Sequence, residues 1–305
     1  MMRVAMIGLG DIARKAYLPV LAARSDLDLS LMTRNRAVLD ELGDAHRIRN
    51  RHTDMASLLA GGLDAAFVHA ATEAHAALVE PLLLAGIPVY VDKPLDYGLA
   101  GSERLVRLAE SRGCSLMVGF NRRFAPLYAG LLGHPRDLIL MQKNRTASAD
   151  APRRMVFDDF IHVVDTLRFL APGPVRDVDV RWKLRDGMLH HVLLTLSGEG
   201  FSAVGVMNRM SGSTEEILEA MGEGSKRTVL NLADRLDHRG EEVRARRGDW
   251  TPVARQRGIE QACAAFLDAV REGRRLSAED ALRTHALCEE IVARIEGRGV
   301  SRGLP

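Results

Sequence analysis

The first run with chemical meaning is Gly8-Leu9-Gly10-Asp11-Ile12-Ala13, which follows a short apolar stretch at Val4–Ile7 and opens a helical pattern. Its small residues have separate uses. Gly8 makes a tight turn, Gly10 lets the backbone approach a pyrophosphate, and Ala13 allows a helix to pack closely on a strand. The helix start at Asp11 and Ile12 offers unpaired N–H groups and a positive dipole end to phosphates. A bare turn would carry the same glycines, but a strand before and a helix after are the context that a dinucleotide site requires. The next apolar stretch ends Leu31-Met32-Thr33-Arg34-Asn35-Arg36. An NAD site usually places an acid here for the ribose 2′-hydroxyl, and this chain has none. Thr33 and Arg34, with Arg36 beside them, suit a 2′-phosphate through charge-assisted bonds. NADP is therefore expected ahead of NAD.

Two further places hold groups able to move protons or touch a coenzyme. Ala70-Ala71-Thr72 follows the third major apolar stretch, where two small residues and a hydroxyl suit a passing ribose or diphosphate, and His75 stands close behind. Asp158 and His162 are spaced i, i+4, so on a helix they share a face, and Asp165 extends it. A carboxylate beside an imidazole can orient it and raise its basicity, which makes a proton shuttle. The bland alternative is a helix-surface pair worth a few tenths of a kcal/mol. Asn121 and Arg122 follow the fifth stretch, within reach of a nicotinamide or a substrate, and Arg123 is expected to bridge two domains. No His, Cys and carboxylate set has zinc spacing, and the neighbours His190 and His191 would point to opposite strand faces. No metal is expected.

Positioning these groups needs a particular scaffold. Val4–Ile7, Leu27–Met32, Ala65–His69, Val89–Asp92 and Ser115–Gly119 read as strands separated by amphipathic helical runs. Strands apolar on both faces and alternating with helices predict a parallel sheet covered on both sides, with ligands at its carboxyl edge. Past Gly119 the pattern changes. A helix over Asp158–Phe169 precedes strands at Val175–Leu184, Met188–Leu196, Phe201–Asn208, Glu215–Met221 and Arg227–Asn231, joined by tight turns that favour antiparallel neighbours. Helical runs at Ile259–Glu272 and Ala278–Ile295 follow. The expected fold is α/β: a doubly wound Rossmann domain over residues 1–119 and an α+β domain with an open, mainly antiparallel sheet over residues 120–305. The basic run Arg244-Ala245-Arg246-Arg247 lacks interleaved aromatics and reads as a solvated loop.

Composition narrows the function. The 305 residues are 47% apolar and 27% charged, and 42 basic against 40 acidic residues leave a net charge of +2. Such a balance provides no broad positive field for nucleic acid or anionic lipid. No stretch is long and apolar enough to span a membrane. Three scattered cysteines form no disulfide framework. A cytoplasmic protein with a small-molecule substrate is expected, and the apolar face of the second sheet suits a homo-oligomer, a dimer or larger.

The strand that ends Val89-Tyr90-Val91-Asp92-Lys93-Pro94-Leu95, taken with the glycine loop, Ala70-Ala71-Thr72 and Gly119-Phe120-Asn121-Arg122-Arg123-Phe124, resembles the glucose-fructose oxidoreductase / inositol dehydrogenase / MocA family. The run from Phe157 to Asp165 and the Thr33-Arg34-Asn35 strand end look most like its MviM-type branch. The family's usual Glu-Lys-Pro stands here as Asp92-Lys93-Pro94. The resemblance implies that Lys93, one of five lysines in the chain, touches the nicotinamide side and the reacting oxygen. An ammonium there can polarise a carbonyl or stabilise a developing alkoxide. The resemblance also implies that Asp158 and His162 form the family's catalytic Asp-x-x-x-His pair, with His162 as general acid and base. The expected activity is NAD(P)-dependent hydride transfer between nicotinamide and a secondary alcohol or ketone, in a sugar or cyclitol. Two rivals stay open at this point: a dinucleotide-binding sensor or scaffold without turnover, and a reductase of imines or carbon–carbon double bonds.

Overall fold

The computed structural model describes residues 1–297. It divides into two compact units, Met1–Phe120 with Ile259–Leu282, and Asn121–Gly258 with the described residues from Arg283.

The first unit alternates strand and helix. β1 (Met2–Ile7) leads to a π turn (Ala13–Tyr17) continued by α1 (Leu18–Ala22), then β2 (Leu27–Met32), α2 (Arg36–Ala45), β3 (Asn50–His52) and α3 (Met55–Ala60). β4 (Ala65–Val68), α4 (Thr72–Leu84), β5 (Val89–Val91), α5 (Leu99–Ser111) and β6 (Leu116–Val118) complete the series. All neighbours pair in parallel, in the order β3-β2-β1-β4-β5-β6. Every residue of β4 and β5 is buried, as expected for strands with helices on both faces. The sheet grows outward in one direction from β1 and in the other from β4, so a crevice opens between their carboxyl ends. β3 went unpredicted because its three residues, Asn-Arg-His, carry no apolar signal on this edge strand.

The second unit opens with a 3₁₀ turn (Asn121–Phe124), α6 (Pro126–Ala129), β7 (Leu138–Asn144), α7 (Pro152–Met155), a π turn (Val156–Phe160) and α8 (Ile161–Leu170). Seven strands follow: β8 (Asp177–Arg185), β9 (Met188–Gly198), β10 (Phe201–Asn208), β11 (Glu215–Gly222), β12 (Ser225–Leu230), β13 (Asp234–Arg239) and β14 (Glu241–Arg246). Their order is β14-β13-β12-β11-β7-β10-β9-β8. Only the β7–β10 pair in this sheet is parallel. α8 lies on one face so closely that a Cβ on Gly205 would come within 2.5 Å of Val163 and 2.9 Å of Leu167. The basic run expected as a loop is instead largely strand: Arg244, Ala245 and Arg246 pair with β13 at the sheet edge. Charge on an exposed edge strand blunts further pairing, which is why its composition resembles a loop.

α9 (Val253–Gln256) precedes α10 (Ile259–Arg271) and α11 (Glu279–Ile295). By position in the chain α10 belongs with the second domain, but it packs in the first unit, with Phe266 edge-on to Phe67 at 5.2 Å and 5.8 Å from Tyr90. An apolar helical stripe demands a partner surface without specifying which sheet supplies it.

Candidate active site

The crevice at the end of β1 and β4 is a cavity of about 500 Å³, lined among others by Gly8, Gly10, Thr33, Arg34 and Ala71. Gly8 has φ of +84°, and a Cβ there would sit 2.4 Å from the Ala70 nitrogen, so turn and close approach both demand glycine. Gly10 differs: a Cβ on it would meet nothing within 4 Å. The space it leaves open is on the crevice side, where a diphosphate would need it. Arg14 N donates to Gly10 O at 3.0 Å, closing the first helical turn. Ala13 is buried under the helix, Ile12 is exposed, and Asp11 pairs with Lys15 at 2.6 Å.

At the end of β2, Asn35 caps α2 by accepting from Val38 N, and Arg36 is bound to Asp40 at 2.9 Å. Arg34 is exposed and has no side-chain partner among the described residues. Thr72 opens α4, whose cap residue Ala71 supplies no side-chain oxygen to its N–H groups.

Lys93 follows β5, half-buried, with its N–H donating to Asp92 Oδ1 at 2.9 Å and a cis peptide to Pro94. His75, expected against the coenzyme, is turned inward instead. It is 1% exposed, with Nδ1 2.9 Å from Pro94 O and Nε2 3.0 Å from Ala70 O. On the first turn of α4 its ring reaches back under both loops. Both carbonyls are acceptors, so a neutral ring donates to one of them and packs against the other, between the Lys93 segment and the loop after β4.

His69 ends the β4 segment and lines the crevice, yet it is 2% exposed, and neither ring nitrogen has a partner among the described residues. Its ring lies on Tyr17 with centroids 3.9 Å apart. Burial, and then the neighbouring His75, push its pKa from 6.5 down to about 3. The unfolded chain takes up a proton that the fold refuses, so this residue's contribution is full above about pH 6.5 and falls away as pH drops toward 3. Between pH 7 and pH 5 that amounts to about 2 kcal/mol. Urea unfolding at the two pH values is expected to show this loss in the wild type and its disappearance in His69→Phe; the same slope in both proteins would refute the assignment.

In the second unit, α8 carries His162, 8% exposed, and the π turn before it carries Asp158. The Asp158 carboxylate faces Arg154 at 3.7 Å. Nη1 of Arg122 lies 3.1 Å from each ring nitrogen of His162. A guanidinium has only donors, so the nitrogen it bonds must present a lone pair. Arg122 is fixed in turn by Glu216, through contacts of 3.2 and 2.9 Å, and Tyr128 donates to the same carboxylate at 2.9 Å. Lys143 joins Glu216 at 3.2 Å to Asp159 at 3.1 Å, and Asp159 also holds Arg145 and Arg209. Burial opposes charge on Glu216 and Asp159, but the surrounding cations outweigh it and hold both carboxyls below their usual values. Burial first, and then Arg122, lower Lys143.

Nothing local in the sequence relates Arg122, Lys143 and Glu216, and the signals that could have led to this cluster are the scarcity of lysine and the doubled acid at Asp158-Asp159. Asn121 is corrected as well. Its amide is spent inside this unit, donating to Arg257 O at 2.8 Å and accepting from Arg122 at 3.2 Å. Arg123, expected to bridge domains, is bound to Asp165 of its own unit, and Asp165, 1% exposed, also accepts from Thr284 at 2.9 Å.

Parallel strands in this order, with a glycine turn at the point where the order reverses, define a dinucleotide-binding fold. A family model described as an oxidoreductase family with an NAD-binding Rossmann fold matches residues 2–120, and a YceM-like C-terminal domain model matches residues 129–239. The Salmonella typhimurium protein YceM, an oxidoreductase by name, is 35% identical over 280 residues, covering 88% of this chain and 90% of that one. A Gfo/Idh/MocA family oxidoreductase from Vibrio cholerae superimposes with a TM-score of 0.93 at 33% identity, over 98% of this chain and 99% of the other. A dehydrogenase (MviM) from Clostridium difficile gives 0.91 at 31% identity, over 96% and 99%. The chain belongs to the glucose-fructose oxidoreductase / inositol dehydrogenase / MocA family of oxidoreductases.

Proposed function

We propose that this oxidoreductase works with NADP in preference to NAD and interconverts a secondary alcohol and its ketone in a sugar or cyclitol. The observation that carries the coenzyme choice is Arg34, which borders the crevice without a side-chain partner where an NAD site would have an acid. Gly8, Gly10 and the N–H groups from Asp11 to Ala13 would hold the diphosphate, Thr33 and Arg34 the 2′-phosphate, and Ala71 and Thr72 the adjoining ribose. The open space at Gly10 fits such an occupant. When bound, the nicotinamide supplies the two-electron acceptor or donor. Lys93 polarises the reacting oxygen and stabilises its negative charge. His162 takes the hydroxyl proton during oxidation on the ring nitrogen whose lone pair Arg122 Nη1 otherwise holds, and returns it during reduction. Asp158 and Arg122 are positioning residues for that ring.

The half-buried apolar residues Leu140, Leu193, Val204, Val206 and Ile217 on the open face of the second sheet support a homodimer or larger oligomer. Three free, buried cysteines agree with a reducing cytoplasm. Among the described residues no helix is long and apolar enough to cross a membrane.

Two experiments test the reading. Absorbance at 340 nm, followed with NADP and a panel of polyols and sugars, is expected to change with at least one cyclic polyol or sugar; no turnover on any would refute the substrate class. In Arg34→Asp, titration of nicotinamide fluorescence is expected to show the NADPH-to-NADH affinity ratio falling by about 100-fold, the worth of a lost charge-assisted contact and a new repulsion. An unchanged ratio would refute the NADP assignment.

A further inference from the structure

The second unit contains a cavity of about 190 Å³, lined mainly by Lys143, Arg145, Glu215, Glu216, Asn231 and Arg257. Its charges do not balance. Arg122, Lys143, Arg145 and Arg209 share the two carboxylates Glu216 and Asp159. Glu215 is a third acid, accepting from Asn144 at 3.1 Å, while Arg257 is a fifth cation with no side-chain partner among the described residues. Of these groups Lys143, Arg145 and Arg257 line the cavity with Glu215 and Glu216, three positive against two negative.

Arg257 is also held in place. Its carbonyl accepts from Asn121 Nδ2 at 2.8 Å. The next residue, Gly258, has φ of +78°, and a Cβ on it would lie 2.3 Å from both Asn121 O and Ala125 N. The backbone that carries the guanidinium is therefore anchored, although the side chain ends at the cavity unpaired. Partial burial, and then repulsion from Arg122, work against the charge of Arg257, and an anion beside it would offset both.

We infer that this cavity is a binding site for the anionic end of a hydroxylated small molecule, a carboxylate or a phosphate monoester. Arg257 and Arg145 present planar forks suited to either group. Glu215 can accept hydrogen bonds from hydroxyls on the carbons next to it, and the amide N–H groups of Asn231 can donate to their oxygens. The volume admits the charged group and a few carbons, not a whole nucleotide. The inference concerns the second unit alone and requires no role for Lys93 or the coenzyme.

The test is calorimetric titration of the full chain saturated with NADPH, which keeps anions away from the glycine turn and Arg34. The probes are D-gluconate, inorganic phosphate and, as a neutral comparison, sorbitol. Saturable binding of gluconate or phosphate is expected, with sorbitol at least about tenfold weaker, and the tighter anion identifies which group the site takes. In Arg257→Gln the anion affinity is expected to fall about tenfold or more, with unchanged NADPH affinity and melting temperature, and Arg257→Lys is expected to recover part of it. Two results would overturn the inference: neither anion binding saturably to the wild type, or binding that Arg257→Gln leaves undiminished.

Discussion

Lys93→Ala is expected to bind NADPH as the wild type does and to lose turnover by roughly 10²–10⁴, the usual worth of a well-placed acid, base or charge at the reacting oxygen. The separation of the two effects follows from its position. Lys93 lies after β5, whereas the glycine turn, Thr33 and Arg34 belong to the ends of β1 and β2. The segment that carries it is also held independently of the ammonium, by Asp92 Oδ1 at its N–H and by the His75 ring against Pro94 O. Removing the side chain should therefore leave the backbone in place. His162→Ala is expected to behave likewise in rate, through loss of the proton shuttle. Steady-state kinetics and nicotinamide fluorescence on the two variants give both readouts, and turnover at the wild-type rate in both would end the mechanism. A fall in kcat accompanied by an equal loss of NADPH affinity in Lys93→Ala would move that residue from the reacting oxygen to the coenzyme.

How much of this was legible in the sequence depends on the range of the interaction. The glycine turn was readable because its cause is local: a positive φ at Gly8 and open space at Gly10 follow from consecutive residues. The parallel sheet was readable because strands buried on both faces must be apolar throughout. Short or charged edge strands were not, since β3 and β14 bury little and carry polar side chains. β7 was missed for a different reason: its role appears only once β10 and β11 flank it. At the site, residue types were found more reliably than their partners. His75 has the right position in the chain for a ligand, yet the two carbonyls that occupy it come from residues 70 and 94. Asn121 is taken up by Arg257, which lies 136 residues away. No window of sequence contains such pairs, and without them a polar side chain next to a motif looks available when it is not.

The same long-range logic makes Glu216 the most consequential structural residue of the second unit. Glu216→Gln is expected to cost about 3–5 kcal/mol in chemical denaturation, the usual penalty for breaking a buried ion pair from one side. The carboxylate is 7% exposed and receives Arg122, Tyr128 and Lys143, while Arg122 and Lys143 are themselves 6% and 3% exposed. An amide keeps the shape but leaves those cations short of a charge, and Lys143, already lowered by burial, has more reason to shed its proton. The pH dependence has a definite sign. Because the folded pKa of Glu216 is depressed, its contribution is present above the ordinary glutamate value of 4.5 and is lost as the medium is acidified below it. Glu216→Gln should remove that part of the acid sensitivity as well as the stability. Replacing Arg122 and Glu216 together by Met and Leu should cost less than the two single changes added, because no charge of that pair is then stranded. If the single variant unfolds at the wild-type denaturant concentration with the same acid slope, the carboxylate is not the counterion that holds this cluster together.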